Sequence, residues 1–316
     1  MTIFARRNRR PEGRLRELSA GNYRWLLPLV VLLWCGDAAA GLKEGLEAAQ
    51  AQDYERCYRE MLPLAEAGHP LAQFQIARLY QTGRSVPKDE TRAFEWYKRS
   101  ASGGNASAQV NLAIMFRRGE GVAKDYQAAL IWYRTAAEQG RETAYMGLAD
   151  MYEIGEGVKP DPTVAVQWLK RAAEKDHPSA QYQLGLRYWR GQNVKQDFDE
   201  AYEWFQKAAA QNYVPALVSL GMMFFGDGRP LDPVTACTYL KLAGRLGVKR
   251  AAETERLEST VRQRCDVVDG ATQRQIRERI SQWKPHEVWF EREQMEFQEL
   301  MRKAGEEDAE RVKAKK

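Results

Sequence analysis

Little in this sequence offers reactive chemistry. Of 316 residues only 4 are cysteine and 3 histidine, too few for a domain built on metals or disulfides. No Cys-x-x-Cys, His-Glu-x-x-His, Gly-x-Ser-x-Gly or phosphate-loop pattern occurs. Proline is sparse, 12 in all, and alanine is plentiful, so helices meet few breakers. The body of the chain also lacks excess charge. Net charge is +5, but residues 1–40 hold seven arginines against Glu12, Glu17 and Asp37, leaving about +1 for the rest. The basic character therefore belongs to the first 40 residues, and bulk electrostatics gives no reason to expect a nucleic-acid partner.

No apolar run reaches the ~20 residues that a membrane-spanning helix needs. The longest, Trp25 to Trp34, is about half that and follows the arginine-rich stretch. Ala38-Ala39-Ala40 comes next, before Gly41. Charged, apolar and small-residue regions in that order are those of a secretory signal. Residues 1–40 are therefore expected to be a signal peptide or an N-terminal anchor, which leaves the chain secreted or periplasmic, or membrane-anchored facing the periplasm. Lipidation at Cys35 is a third reading, opposed by the bulky Trp34 before it.

What is present in quantity is periodicity. Ala72, Ala108, Ala144, Ala180 and Ala216 lie 36 residues apart, as do Tyr80, Phe116, Tyr152, Tyr188 and Phe224. Trp96, Trp132, Trp168 and Trp204 share the period, and the fifth copy, one residue shorter in its loop, has Tyr239 there. Ile76, Leu112, Leu148, Leu184 and Leu220 lie four before the aromatic column, on one face of a first helix, A. Glycines 83, 119, 155, 191 and 226 follow, where a left-handed residue would end that helix. Val86, Val122, Val158 and Val194 then turn inward. Asp89, Asp125, Asp161, Asp197 and Asp232 read as N-caps of a second helix, B. In two copies proline follows the aspartate, at the first helical position. Helix B carries a small-residue column at Ala93, Ala129, Ala165, Ala201 and Ala236, and ends at Gly104, Gly140, Asp176, Asn212 and Gly247. These columns predict an all-α chain of helix pairs.

The combined motif is Ala-x7-Tyr-x2-Gly-x2-Val-x2-Asp-x3-Ala-x2-Trp-Tyr-x3-Ala-x2-Gly. It is clearest in Arg118-Gly-Glu-Gly-Val-Ala-Lys-Asp125 and Ala129-Leu-Ile-Trp-Tyr133, and it resembles the Sel1-like repeat of the tetratricopeptide-repeat superfamily. The resemblance implies a right-handed α/α solenoid and, for most members, an adaptor role in bacterial envelope processes or membrane-complex assembly. The solenoid is expected over 41–251, with a degenerate first pair at 42–68 and five full repeats from about 69 to 251. Capping helices are expected at 252–285, the second beginning after an Asp269-Gly270 turn. Residues 286–316 read as a charged helix or a disordered tail.

The conspicuous residues read as scaffold. The tryptophans recur in four copies and give way to Tyr239 in the fifth, which argues for packing. His69 and His177 lie three periods apart at equivalent helix entries, where they cannot share a metal. Neither a metal site nor a cofactor is expected. Cys57 falls in a small-residue column, as a buried thiol. Cys237 and Cys265 both lie near the C-terminal cap, and in an oxidising compartment they could pair and clamp it.

Specificity must then lie where copies differ. Aligned by the resemblance, helix A places Phe74 and Arg78 on the inner groove. The following copies add Val110, Ile114, Arg117 and Arg118, then Met146, Asp150 and Glu153, then Tyr182, Leu186, Trp189 and Arg190, then Val218, Met222 and Phe225. Aromatics with arginines suit a protein-binding surface, although tight supercoiling would instead bury these groups against one another. The expected function is a non-enzymatic adaptor that binds a protein or peptide. A glycan-binding, cell-wall-associated role, with sugars stacking on Tyr182, Trp189 and Phe225, is the alternative. A β-lactamase-like hydrolase is a remote one, since the regular cysteine pair of such family members is missing. Contact with a membrane is expected only through the N-terminal segment, if it is uncleaved.

Overall fold

The computed structural model describes residues 41–247, 259–261, 263–266 and 268–283. The leader, most of the first capping helix expected after 252, and the 286–316 tail lie outside the described residues.

Residues 41–50 form helix α1. Then come α2 (Tyr54–Glu66), α3 (Pro70–Thr82), α4 (Glu90–Ser102), α5 (Ala106–Arg118), α6 (Tyr126–Glu138) and α7 (Glu142–Ile154). The series continues with α8 (Pro162–Glu174), α9 (Pro178–Arg190), α10 (Phe198–Ala210), α11 (Val214–Met223) and α12 (Pro233–Leu246). Residues 259–261, 263 and 264 are helical, and α13 spans Gly270–Gln282. Among the described residues there is no strand. Odd-numbered α3 to α11 are the A helices and α4 to α12 the B helices. Each helix packs on the next along the chain, giving an α/α solenoid.

Each boundary has a local cause. The six aspartates at 53, 89, 125, 161, 197 and 232 each accept a backbone N–H of the first helical turn. The five from Asp89 onward also close the loop before them. Their own N–H groups donate to the carbonyls of Tyr80, Phe116, Tyr152, Tyr188 and Phe224, at 2.7–3.0 Å. The aromatic and aspartate columns are thus two ends of one hydrogen bond. In the first four A helices the following glycine is left-handed, as at Gly83 with φ 69°. The fifth departs from the expected pattern: α11 ends at Met223 with Phe224 right-handed, and Gly226 is left-handed further along the loop.

The alanine column at 72–216 and the Ile76/Leu112/Leu148/Leu184/Leu220 column are fully buried. Each such Leu or Ile contributes roughly 1.5–3 kcal/mol of burial. Buried Gln73, Gln109 and Gln181 link one pair to the next, their amides donating to Ala65, Ala101 and Ala173 carbonyls at 3.0–3.2 Å. Gln273 repeats this eight-residue reach-back to Cys265, at 2.6 Å. Helix α13 begins at Gly270, capped by Asp269, rather than after a turn at those two residues. It runs antiparallel to α12: Gln273 meets Lys241 at 3.1 Å and Arg279 meets Thr235 at 2.6 Å. Successive B and A helices meet in the same sense earlier in the stack.

Candidate functional site

The A-helix face, where side chains vary from copy to copy, is divided by the structure. At its N-terminal end Phe74 is half-buried against Tyr97, ring centres 5.9 Å apart, and exposed Arg78 lies 5.8 Å over the Phe74 ring. Further along, charge is paired across neighbouring repeats. Arg117 of α5 pairs with Asp150 of α7 at 3.4 Å and with Glu156 beyond it. Arg187 of α9 reaches back to Glu153 at 2.5 Å. Burial pushes the Asp150 carboxyl above its ordinary value; Arg117 only partly offsets this, and Glu153 and Glu156 reinforce the rise. Desolvation works against the charge on Arg117, but its hydrogen bond to Glu156 and the nearby carboxylates leave its pKa raised.

The C-terminal aromatics are engaged with their own protein. Tyr182 contacts Phe205 at 5.7 Å and Tyr213 at 5.4 Å. Trp189 stands edge-on to Phe205, and its indole N–H donates to the Asp227 carbonyl at 3.1 Å. Phe225 lies under the Arg264 guanidinium, 4.9 Å away. Arg118 is exposed beside Glu120 at 3.4 Å, Arg190 is exposed, and Met222 is half-buried. The structure thus brings Arg117 into a network with two carboxylates. It leaves Arg78, Arg118 and Arg190 exposed and Met222 half-buried, and turns Tyr182 and Trp189 onto their own core.

Sequence reasoning passed over Arg187 and Glu156. The signal for Arg187 was available: its column otherwise reads Leu79, Met115, Met151 and Met223. An arginine in a buried apolar column needs a carboxylate partner. The tryptophan column is core-facing but capped by cations: Arg99 over Trp96, Arg171 over Trp168 and Lys207 over Trp204, at 4.0–4.7 Å.

His69 and His177 are helix N-caps. Their Nδ1 atoms accept the Ala72 and Ala180 N–H groups at 3.4 and 3.3 Å, as the Asn105 side chain does for Ala108 at 2.8 Å. Burial lowers the His177 pKa, with Glu142 partly opposing. Cys57 is buried, which pushes its thiol up to about 11. Cys237 and Cys265 are joined by a disulfide, Cα atoms 5.5 Å apart. Among the described residues no three metal-capable side chains cluster, and no helix is long and apolar enough to cross a membrane.

A family model described as Sel1 repeat matches residues 70–105, 106–140, 143–177, 178–213 and 214–248. The crystal structure of a Sel1 repeat protein from Oxalobacter formigenes aligns with TM-score 0.61 at 32% identity, over 70% of this chain and 98% of that one. That of c5321, a protective antigen present in uropathogenic Escherichia coli strains and displaying an SLR fold, aligns with TM-score 0.65 at 28% identity. It covers 80% of this chain and 56% of that one. A search of curated proteins finds no match.

Proposed function

Because this chain belongs to the Sel1 repeat family, whose members are generally protein-interaction scaffolds, we propose that it is a non-enzymatic scaffold of the bacterial cell envelope. It holds a partner peptide or helix along the A-helix face. One observation carries this reading. Columns that build the stack are nearly identical in all copies, whereas Arg78, Ile114, Asp150, Leu186 and Met222 occupy one equivalent position with five different side chains. A surface that changes from repeat to repeat on a constant frame can read a partner of matching irregularity. The arginine-rich leader pattern and the Cys237–Cys265 disulfide favour an oxidising location outside the cytoplasm. A protein partner is preferred to a glycan because Tyr182, Trp189 and Phe225, the rings on which a sugar would stack, are engaged by Phe205, Asp227 and Arg264.

The test is photo-crosslinking in cells from Arg78, Ile114, Leu186 and Met222, followed by mass spectrometry. One shared protein should be recovered from at least two of these positions. It should be lost in the Arg78→Glu, Arg190→Glu variant, whose exposed side chains can change without touching the core. Crosslinks to no common protein, or equal yield from the variant, would remove the reading.

A further inference from the structure

The first four B helices turn one stripe away from the core, four positions spaced i, i+3, i+4 and i+7 along one side of the helix. On α4 these are Arg92, Glu95, Trp96 and Arg99, and on α10 Glu200, Glu203, Trp204 and Lys207. On α8 they are Val164, Gln167, Trp168 and Arg171. Helix α6 alone of the four has no charge there: Ala128, Ile131, Trp132 and Thr135. Ile131 is 61% exposed. The other large apolar side chains this open among the described residues, Ile154, Leu231 and Leu246, lie at helix ends or in a loop. Thr135 stands where Arg99, Arg171 and Lys207 lie over their own tryptophans. The fifth repeat shows what such a stripe can hold. On α12 the same positions are Thr235, Thr238, Tyr239 and Leu242, again uncharged, and α13 packs on that helix. Arg279 donates to Thr235 at 2.6 Å, Trp283 stands edge-on to Tyr239 with ring centres 6.3 Å apart, and Thr238 and Leu242 are buried. Helix α13 brings a stripe of its own, Ile276, Ile280 and Trp283, spaced by four and three residues.

We propose that the α6 stripe is a second docking surface, outside the A-helix groove, and that it takes an acidic amphipathic helix of a partner protein as α12 takes α13. The apolar half of the match follows from α12: an uncharged stripe in these four positions accepts a helix whose apolar residues recur every three to four positions. The charged half follows from the rim. Lys98, Arg134 and Lys170 fill one column beside the stripe in the first three repeats, and Arg99 and Arg171 flank Thr135 in the next. All five are exposed, and Glu95 is the one acid in the stripe's own columns over these repeats. A helix laid on Ile131 and Trp132 therefore meets cations on both sides, and acidic flanks complement them. An exposed isoleucine and a half-buried tryptophan framed by arginines is also the composition of an interface hot spot.

Phage-displayed amphipathic helices of about 14 residues, apolar at the spacing of α13 and randomised on their flanks, are to be selected against the full chain. The counter-target is Ile131→Glu, Thr135→Arg, which gives α6 the outer residues of α4 and should melt as the native chain does. Ile131→Gln, the residue of α8, is a milder second variant. Selected helices should carry Asp and Glu on their flanks and bind both variants more weakly, the double one by about tenfold or more. Their binding should weaken as salt rises. The Arg78→Glu, Arg190→Glu variant should bind them unchanged, so failure here and failure of the groove reading are separate results. No enriched helix, equal binding to the double variant, or flanks without acidic enrichment would overturn the proposal. So would a native dimer, or binding to phosphatidylglycerol vesicles, that the double variant abolishes, because the stripe would then belong to a second copy or to a membrane.

Discussion

At the residue scale, His177 shows how a single proton can undo a cap. Its Nδ1 accepts a backbone N–H and so must stay unprotonated. The folded pKa lies below the ordinary 6.5. The unfolded chain therefore takes up the proton first as pH falls. The cap's contribution is complete above about pH 6.5 and is lost below it, through the lowered folded value. Replacing His177 with Asn, the residue that caps α5, should remove this dependence. Urea unfolding at pH 7 and pH 5 should show the variant gaining about 1 kcal/mol on the native chain at the lower pH. Gly121 offers a second, harsher test. It sits at φ 69°, and a Cβ there would lie 2.1 Å from the Glu90 carbonyl oxygen of the preceding repeat. Gly121→Ala should cost about 2–4 kcal/mol, read as a drop in the thermal midpoint.

At the scale of the helix, two kinds of interaction can be told apart by how they fail. Asp125 serves twice, capping α6 through Ala128 N–H at 2.9 Å and closing the loop to Phe116. Asp125→Ala removes only the side-chain half and should cost about 1 kcal/mol. The Arg187–Glu153 pair is asymmetric: their side chains are 11% and 43% exposed. Arg187→Met restores the apolar column and leaves a carboxylate that water can solvate, so stability should change by less than about 1 kcal/mol. Glu153→Ala strands the buried cation and should cost about 2–3 kcal/mol. Urea midpoints of the two variants would separate the cases. If both cost the same, Arg187 is held by something other than Glu153.

At the scale of the whole chain, stability is a sum of neighbour contacts, and the ends are its weak terms. Reducing the Cys237–Cys265 bond should lower unfolding free energy by roughly 3–4 kcal/mol for a loop of this size, concentrated in the C-terminal repeats and measurable by calorimetry. The helix pairs, their caps and their core columns were legible from residue order, because each is a local pattern repeated every 36 residues. Hydrogen bonds of a cap span three residues, and a buried column needs only a helical period. The surface was less legible. Tyr182 and Trp189 looked available in the sequence, yet their rings find Phe205 and Tyr213, which come from other helices. Arg117 looked free, yet carboxylates one repeat away claim it. Residue order alone thus specifies a stack of helix pairs and the columns that hold it together. Contacts across the fold settle which A-helix side chains stay exposed and how the last pair is fastened. Those outcomes depend on contacts between residues 16 to 39 positions apart in the chain, and no local period encodes them.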